Sequence, residues 1–382
     1  MVAVSAVAFG EPVNVLLRET REKLKEPERD PKLASRVGFE RVERHLSVGN
    51  ARFWLRQTFE PGQPDGPVVK QYGDFFFGLE FGRRGNGQWD VWHFLQPRVL
   101  LPNEKAPVHP TRARPPMGFF PLEQGKRGLA DMVWPAGEAG GAFTIRAVKL
   151  PDDPQWLYLE VSVDSPGATL DGVAISAYPC ETTGPPERER WISSAVAGHL
   201  MTNQRAPINP ATEWALCWHN KRAQEDWGVL SVFDPEEVAG AAAFGTYGVA
   251  LELKPKPNRA TLRLAVGYFK ATPYAEALAA LGRDADGLLR RLRTLRWTLD
   301  MANMANIERE LSPLNDLLRH KSVEEKFGVR WREAANRIAA LKASKQLTRA
   351  EERELAALLH SQRVLRDEMY ATALEALIRE MP

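Results

Sequence analysis

Two tryptophan-rich segments hold the side chains best suited to chemistry. In the first, a strand conformation places Trp89 and His93 on one face and Trp92 on the other. Flat indole rings stack on sugars, and an imidazole can transfer a proton near neutral pH. His93 is therefore a candidate catalytic residue, and Trp89 and Trp92 are candidate substrate-binding residues. The alternative is that these tryptophans fill a sandwich core, since aromatic side chains dominate core burial.

The second segment runs from Glu213 to Trp227. As a strand it places Glu213 and His219 on one face and Trp218 on the other. Glu213 or Asp226 is the candidate catalytic acid or base, with His219 as its partner, and Trp218 and Trp227 are candidate substrate-binding residues. A half-buried strand without any site explains the same pattern.

A proline-rich loop from His109 to Pro116 carries two arginines, Arg112 and Arg114. A guanidinium group binds carboxylates through paired hydrogen bonds, so Arg112 is a candidate catalytic residue that neutralises a uronate carboxylate, and Arg114 a candidate substrate-binding residue. A lyase would also need a base that takes the neighbouring proton, with the candidates His93, His199, His219 and Tyr247. The alternative is that both arginines pin the loop to an acidic surface of the protein itself.

These residues lie within a region of short runs rich in β-branched and aromatic residues, separated by Gly, Pro, Asp and Asn. Eleven such runs are strand candidates, and little helix intervenes between them. Because parallel strand pairs need long crossovers, the pattern predicts antiparallel neighbours. The predicted fold is mainly β with an α-helical tail: a large antiparallel β-sandwich over residues 38–271, followed by a helical region over residues 272–382. The strand candidates are 51–59, 71–81, 88–94, 142–150, 156–163, 172–178, 191–200, 214–219, 228–233, 245–253 and 260–269.

The tail shows helical spacing of apolar residues. Two facing stripes around a polar turn near residues 344–347 predict an antiparallel helical hairpin. One stripe is Trp331, Ala334, Ile338 and Leu341, and the other is Leu355, Leu358, Leu365 and Met369. Ser322 and Thr348 begin sequences with capping-box spacing. An earlier seam is predicted from Leu288, Leu292, Leu295, Leu299 and Ala302.

Residues 1–37 are predicted to form a lead-in segment, with a short helical pattern around Val15 to Leu24. The stretch Ala6-Val7-Ala8 has the small-x-small form of a signal-peptidase site, but no basic segment precedes it. Two accounts stay open, a clipped secretory signal and an ordinary strand or disordered terminus. The expected location is periplasmic or secreted, otherwise cytoplasmic.

Composition excludes several classes of protein. The 382 residues have a net charge of +2, and the two signs are interleaved, so no basic stripe for nucleic acid is present. No apolar run approaches the roughly 20 residues of a transmembrane helix. The seven histidines are scattered singly and there are two cysteines, so we expect no metal site. Glycine-rich nucleotide motifs are absent, so we expect no cofactor.

The functional hypothesis is a protein of the cell envelope or exterior that binds or processes a polysaccharide or oligosaccharide. If it is an enzyme, polysaccharide lyase or glycoside hydrolase chemistry suits these residues. The predicted sandwich resembles, in size alone, the super-sandwich domains of carbohydrate-active proteins, and no family motif accompanies that likeness. The alternative is a structural or assembly protein whose helical tail mediates homo-oligomerisation or partner binding.

Overall fold

The computed structural model describes residues 11–25, 36–63, 66, 68–69, 75–83, 89–100, 116–136, 141–164, 167–179, 190–220, 228–245, 249–269, 274–344 and 346–380. Contacts between Cα atoms divide the chain into two compact units. The first comprises Met1–Phe119 and Gln124–Leu295, and the second comprises Phe120–Glu123 and Arg296–Pro382.

The described strands form two nine-stranded sheets, and every pair with a described register is antiparallel. Strand numbers follow the chain, and each sheet is given in spatial order. Sheet 1 contains β1 (Val15–Lys23), β2 (Glu40–Val48), β3 (Ala51–Phe59), β4 (Phe75–Arg83), β5 (Trp89–Leu100), β10 (Thr169–Pro179), β17 (Val249–Pro255), β16 (Val238–Phe244) and β13 (Ala206–Ile208). Sheet 2 contains β12 (Gly198–Leu200), β11 (Arg190–Ser193), β14 (Ala215–Asn220), β15 (Gly228–Phe233), β18 (Thr261–Phe269), β9 (Trp156–Asp164), β8 (Ala142–Lys149), β7 (Gly128–Pro135) and β6 (Gly118–Glu123).

The inner faces of both sheets share one hydrophobic core, which confirms the predicted sandwich. In β3, for example, Phe53 and Leu55 are buried, whereas Arg52, Trp54 and Arg56 point to the opposite, outer face. This alternation leaves the outer face of sheet 1 rich in charged side chains.

The first helix, α1 (Tyr274–Thr294), contacts β14, β15 and β18 of sheet 2. It is held there by ion pairs as well as apolar contacts, since Arg293 donates two hydrogen bonds, of 2.9 and 2.7 Å, to Asp234. The helix ends at Thr294, and residues 295–300 are not helical. The predicted seam from Leu288 to Ala302 is therefore wrong, because it begins in one helix, crosses the non-helical segment that holds Leu295 and Leu299, and ends in the next helix.

The second unit contains α2 (Met301–Leu311), a 3₁₀ helix (Ser312–Arg319), α3 (Lys321–Ala343) and α4 (Arg349–Glu380). The helices α3 and α4 form the predicted hairpin, whose buried side chains include Trp331, Ile338, Leu341, Leu355, Leu365 and Met369. The capping box at Thr348 is confirmed, because its backbone N–H donates to Glu351 over 2.8 Å. The one at Ser322 is wrong, since His320 is the N-cap of α3 and α3 begins at Lys321.

The helical interpretation of residues 15–24 is also wrong, because most of this segment is the edge strand β1. Its register with β2 is continuous from Val15 to Lys23, and ion pairs cross between the strands. Arg44 of β2 donates to Glu19 of β1 over 2.6 Å, for example. Cross-strand pairing of this kind outweighs local helix preference.

Exposed apolar side chains lie on the last turns of α4 at Tyr370, Leu374, Leu377 and Ile378. The hypothesis that the tail mediates assembly stays a prediction.

Within the described part of the chain, no helix combines the length and the apolar character that a membrane span requires.

Candidate functional site

An open groove of about 380 Å³ lies on the outer face of sheet 1. Its walls carry three cations and two carboxylates, and small residues form part of its lining. The charged residues are Arg98 on β5, Asp171 on β10, Arg205 immediately before β13, and Glu252 and Lys254 on β17. The small residues are Gly240, Ala241 and Ala242 on β16.

Strand alternation places the β17 residues in the groove. Leu251 and Leu253 are fully buried in the core, so Glu252 and Lys254 project from the opposite face. Glu252 is only 7% exposed because the arginines of the neighbouring segments cover it. Glu252 and Lys254 thus share one face of β17, with the carboxylate covered by arginines and the ammonium group exposed.

A glycine allows Arg98 to reach Glu252. Gly172 lies directly opposite Arg98 in the β5–β10 register, next to a β-bulge. A Cβ atom on Gly172 would approach an Arg98 guanidinium nitrogen to 3.1 Å and the Leu253 carbonyl oxygen to 3.2 Å. Because glycine lacks this atom, the guanidinium group can lie close to the strand backbone.

Ion pairs organise the walls of the groove. Arg98 and Arg205 both form ion pairs with Glu252, and Arg98 also lies 3.8 Å from Asp171. The Arg205 guanidinium group lies over the Phe244 ring, 5.2 Å from its centre. Lys254 forms no ion pair with any residue that the structure describes. Among the described lining residues, three cations and two carboxylates leave an excess of one positive charge.

The crossover that carries Arg205 is held at both ends by one carboxylate. Glu213 accepts a hydrogen bond of 2.9 Å from the Asn209 backbone N–H, just after β13. Its other oxygen lies 2.6 Å from His199 Nε2 on β12, the edge strand of sheet 2. Glu213 therefore links the two sheet edges between which the chain crosses. The same geometry orients the His199 imidazole, as in carboxylate–imidazole pairs that act as bases.

The half-buried Trp54 of the outer face does not offer a bare platform. Trp54 has Arg56 over its ring at 5.0 Å and Arg52 at 6.0 Å, so two guanidinium groups already cover it. Arg52 also forms an ion pair with Glu80, which is 1% exposed. Burial raises the pKa of Glu80, and the nearby Arg52 opposes that rise.

Most of the side chains that the sequence singled out lie outside the described residues. Glu213 pairs with His199, which the sequence had not assigned to it. Trp218 is 1% exposed and belongs to the core cluster, so it lies among core side chains rather than on a binding surface. The side chains of Trp89, Trp92, His93 and His219 lie outside the described residues, although their backbones belong to β5 and β14. Arg112, Arg114, Asp226, Trp227 and Tyr247 also lie outside the described residues.

Sequence reasoning missed all the charged residues of the groove. One signal was available, because the outward-facing charges Glu252 and Lys254 alternate with leucines along β17. No local pattern connects them with Arg98 or Arg205, which are distant in sequence.

Among the described residues, no group of three His, Cys, Asp or Glu side chains converges in a way that suits a metal ion.

The most strongly shifted lysine lies outside the groove and suits a structural role. Lys149 Nζ donates hydrogen bonds to the carbonyl oxygens of Pro154, over 2.6 Å, and Trp156, over 2.7 Å. Burial lowers the pKa of Lys149 to about 7, and the Asp153 carboxylate opposes this shift. The amine therefore fastens the turn between β8 and β9.

This shift predicts a pH dependence of stability. Between pH 7 and the ordinary lysine pKa of 10.5, the folded protein binds fewer protons at Lys149 than the unfolded chain does. Raising the pH from 7 to 9 should therefore stabilise the native protein relative to a Lys149→Met variant, by about 1 to 2 kcal/mol. Urea unfolding of both proteins at each pH measures the difference. Parallel pH profiles for the two proteins would contradict it.

Comparisons with known proteins identify no family. No family model matches the sequence. No curated protein matches it either. Among solved structures, the chain is similar to a GH36 α-galactosidase from Geobacillus stearothermophilus in complex with raffinose, at 11% identity and a TM-score of 0.31. The similarity covers 59% of this chain and 40% of that chain, so it spans less than half of the α-galactosidase. A likeness this distant carries no argument about activity.

Proposed function

We propose that the groove on the outer face of sheet 1 binds a carbohydrate. The observation that carries the proposal is the composition of the groove, in which charged hydrogen-bonding groups of both signs surround small residues. Pockets for apolar ligands and cofactors are lined mainly by hydrophobic and aromatic side chains. A groove lined in this way suits a ligand covered with hydroxyl groups.

The residues of the groove match the two hydrogen-bonding roles of a hydroxyl group. Arg98, Arg205 and Lys254 are donors only, and Asp171 and Glu252 accept as carboxylates. Fixed donors and acceptors side by side can satisfy neighbouring hydroxyls of one sugar ring. Because Glu252 holds both arginines, the donors are positioned before the ligand binds.

The proposal concerns binding. Turnover by a lyase or hydrolase mechanism stays a prediction from the sequence, because the side chains of His93, Arg112 and His219 lie outside the described residues. The His199–Glu213 pair is the described group closest in character to an acid–base pair, and the contacts of Glu213 hold the crossover in place.

The test fills the groove without disturbing the fold. A Cβ atom on Gly240 meets nothing within 4 Å, so Gly240→Leu should be tolerated while its side chain occupies the groove. Calorimetric titration with a panel of neutral and acidic oligosaccharides should show binding to the native protein. Binding should weaken at least tenfold in Gly240→Leu, because the added side chain displaces sugar contacts.

A matched control is available on α1. Gly287 is exposed and its Cβ position is equally open, so Gly287→Leu makes the same chemical change away from the groove. This variant should bind like the native protein. Equal binding by native protein and Gly240→Leu would place the carbohydrate elsewhere, and no binding across the panel would refute the proposal.

A further inference from the structure

The charged residues that line the groove also indicate the charge of its ligand. We propose that it selects an acidic saccharide and holds one uronate carboxylate between Lys254 and Arg205. This inference rests on the proposed carbohydrate binding and names the class of sugar.

The first observation is that the two arginines differ in their exposure and in the number of carboxylates that they contact. Arg98 is 28% exposed and is engaged by both carboxylates of the groove, Glu252 and Asp171. Arg205 is 58% exposed and its ion pair with a described residue is to Glu252 alone. A guanidinium group has five N–H donors, so Arg205 keeps donors that face the solvent. Arg98 is therefore occupied by ion pairs within the groove, whereas Arg205 has N–H groups available to bind a ligand.

The second observation is the unbalanced charge. Lys254 is exposed and lacks an ion-pair partner among the described residues, although it lies two residues from Glu252 on the same face of β17. The described residues that line the groove carry one more positive charge than negative. One carboxylate on the ligand neutralises that excess, and charge-assisted hydrogen bonds to it are stronger than those to a neutral hydroxyl.

The two carboxylates of the groove limit how acidic the ligand can be. Asp171 and Glu252 repel an anion that approaches their side, so a polymer with a phosphate at every unit would meet repulsion. A uronate sugar has a single carboxylate on one carbon and hydroxyls on the others. It can place the carboxylate at Lys254 and Arg205 and a hydroxyl at Asp171.

The experiment compares each acidic oligosaccharide with its own carboxyl-reduced form. Oligogalacturonate, oligoglucuronate and oligoalginate are titrated into the native protein beside the matched neutral sugars. We expect at least one acidic member to bind roughly tenfold more tightly than its reduced counterpart, and this preference should shrink as salt concentration rises.

Substitutions then assign the preference to the two cations. Lys254→Met removes the charge and keeps the length of the side chain, so it should abolish the preference, and it should weaken binding of the reduced sugar only by the loss of one hydroxyl contact. Arg205→Lys keeps the positive charge but loses the paired N–H donors of the guanidinium group, so it should reduce the preference partly. Lys256→Met is the control, because Lys256 follows β17 and pairs with Glu236 outside the groove.

The outcomes separate the two proposals. Equal affinity for acidic and reduced sugars would overturn the acidic selectivity and leave carbohydrate binding intact. A preference that survives Lys254→Met would overturn the assignment to this groove. Absence of binding to every acidic and reduced sugar would refute carbohydrate binding itself, and the further inference with it.

Discussion

Replacing Arg146 by methionine should lower the free energy of unfolding of the sandwich by about 3–5 kcal/mol. Arg146 is 1% exposed and donates hydrogen bonds of 2.6 and 2.7 Å to the two oxygens of Asp131, which is completely buried. Removal of the guanidinium group leaves the Asp131 carboxylate in the interior without this cation. Glu160 is 3% exposed, and Arg146 stabilises its charged form electrostatically. The substitution removes this stabilisation as well.

Urea unfolding followed by tryptophan fluorescence measures this loss. The control is the double variant Arg146→Met, Asp131→Leu, in which both charges are replaced by apolar side chains of similar size. A buried ion pair replaced as a whole is often nearly neutral for stability, so the double variant should recover most of the loss. A single variant within about 1 kcal/mol of the native protein would show that the pair contributes little.

Replacing Trp134 by alanine should cost about 3–5 kcal/mol, because it opens a large cavity between the two sheets. Trp134 lies on β7 of sheet 2 and is completely buried. Its ring is 5.2 Å from that of Phe77, on sheet 1, and 6.0 Å from that of Phe143, on sheet 2. Its edge-to-face contact with Phe77 joins the inner faces of the sandwich.

A matched tryptophan variant tests whether burial causes the effect. Trp54→Ala removes an equally large side chain from the outer face of sheet 1, where two arginines cover it but no core surrounds it. We expect a loss of about 1 kcal/mol there, because no closed cavity forms. Thermal and urea unfolding of both variants gives the comparison, and equal losses would contradict the assignment of Trp134 to the core.

Much of the fold could be predicted because its cause is local. Strands such as Ala51–Phe59 and Gly228–Phe233 were predicted with the bounds that the structure has, since alternating residues and turn residues mark them. The hairpin of α3 and α4 was likewise predicted from its two apolar stripes. The strands β1 and β2 were missed, because their alternating charges make sense only when they pair with each other.

The candidate site was much harder to predict. The groove joins Arg98, Asp171, Arg205 and Glu252 from four separate segments of the chain. Each of these residues alone looks like an ordinary surface charge, and surface charges are abundant. Glu213 lies 2.6 Å from His199, fourteen residues before it, a contact that the sequence did not predict.

By itself, the sequence determined the fold class, the hairpin and the inward-facing residues of many strands. These properties follow from the periods of strands and helices, which act over a few residues. Only the tertiary structure decided which charges meet, that a glycine lets Arg98 approach Glu252, and that Lys254 has no described ion-pair partner. Strand order sets those distances, and strand order depends on contacts between segments far apart in the chain.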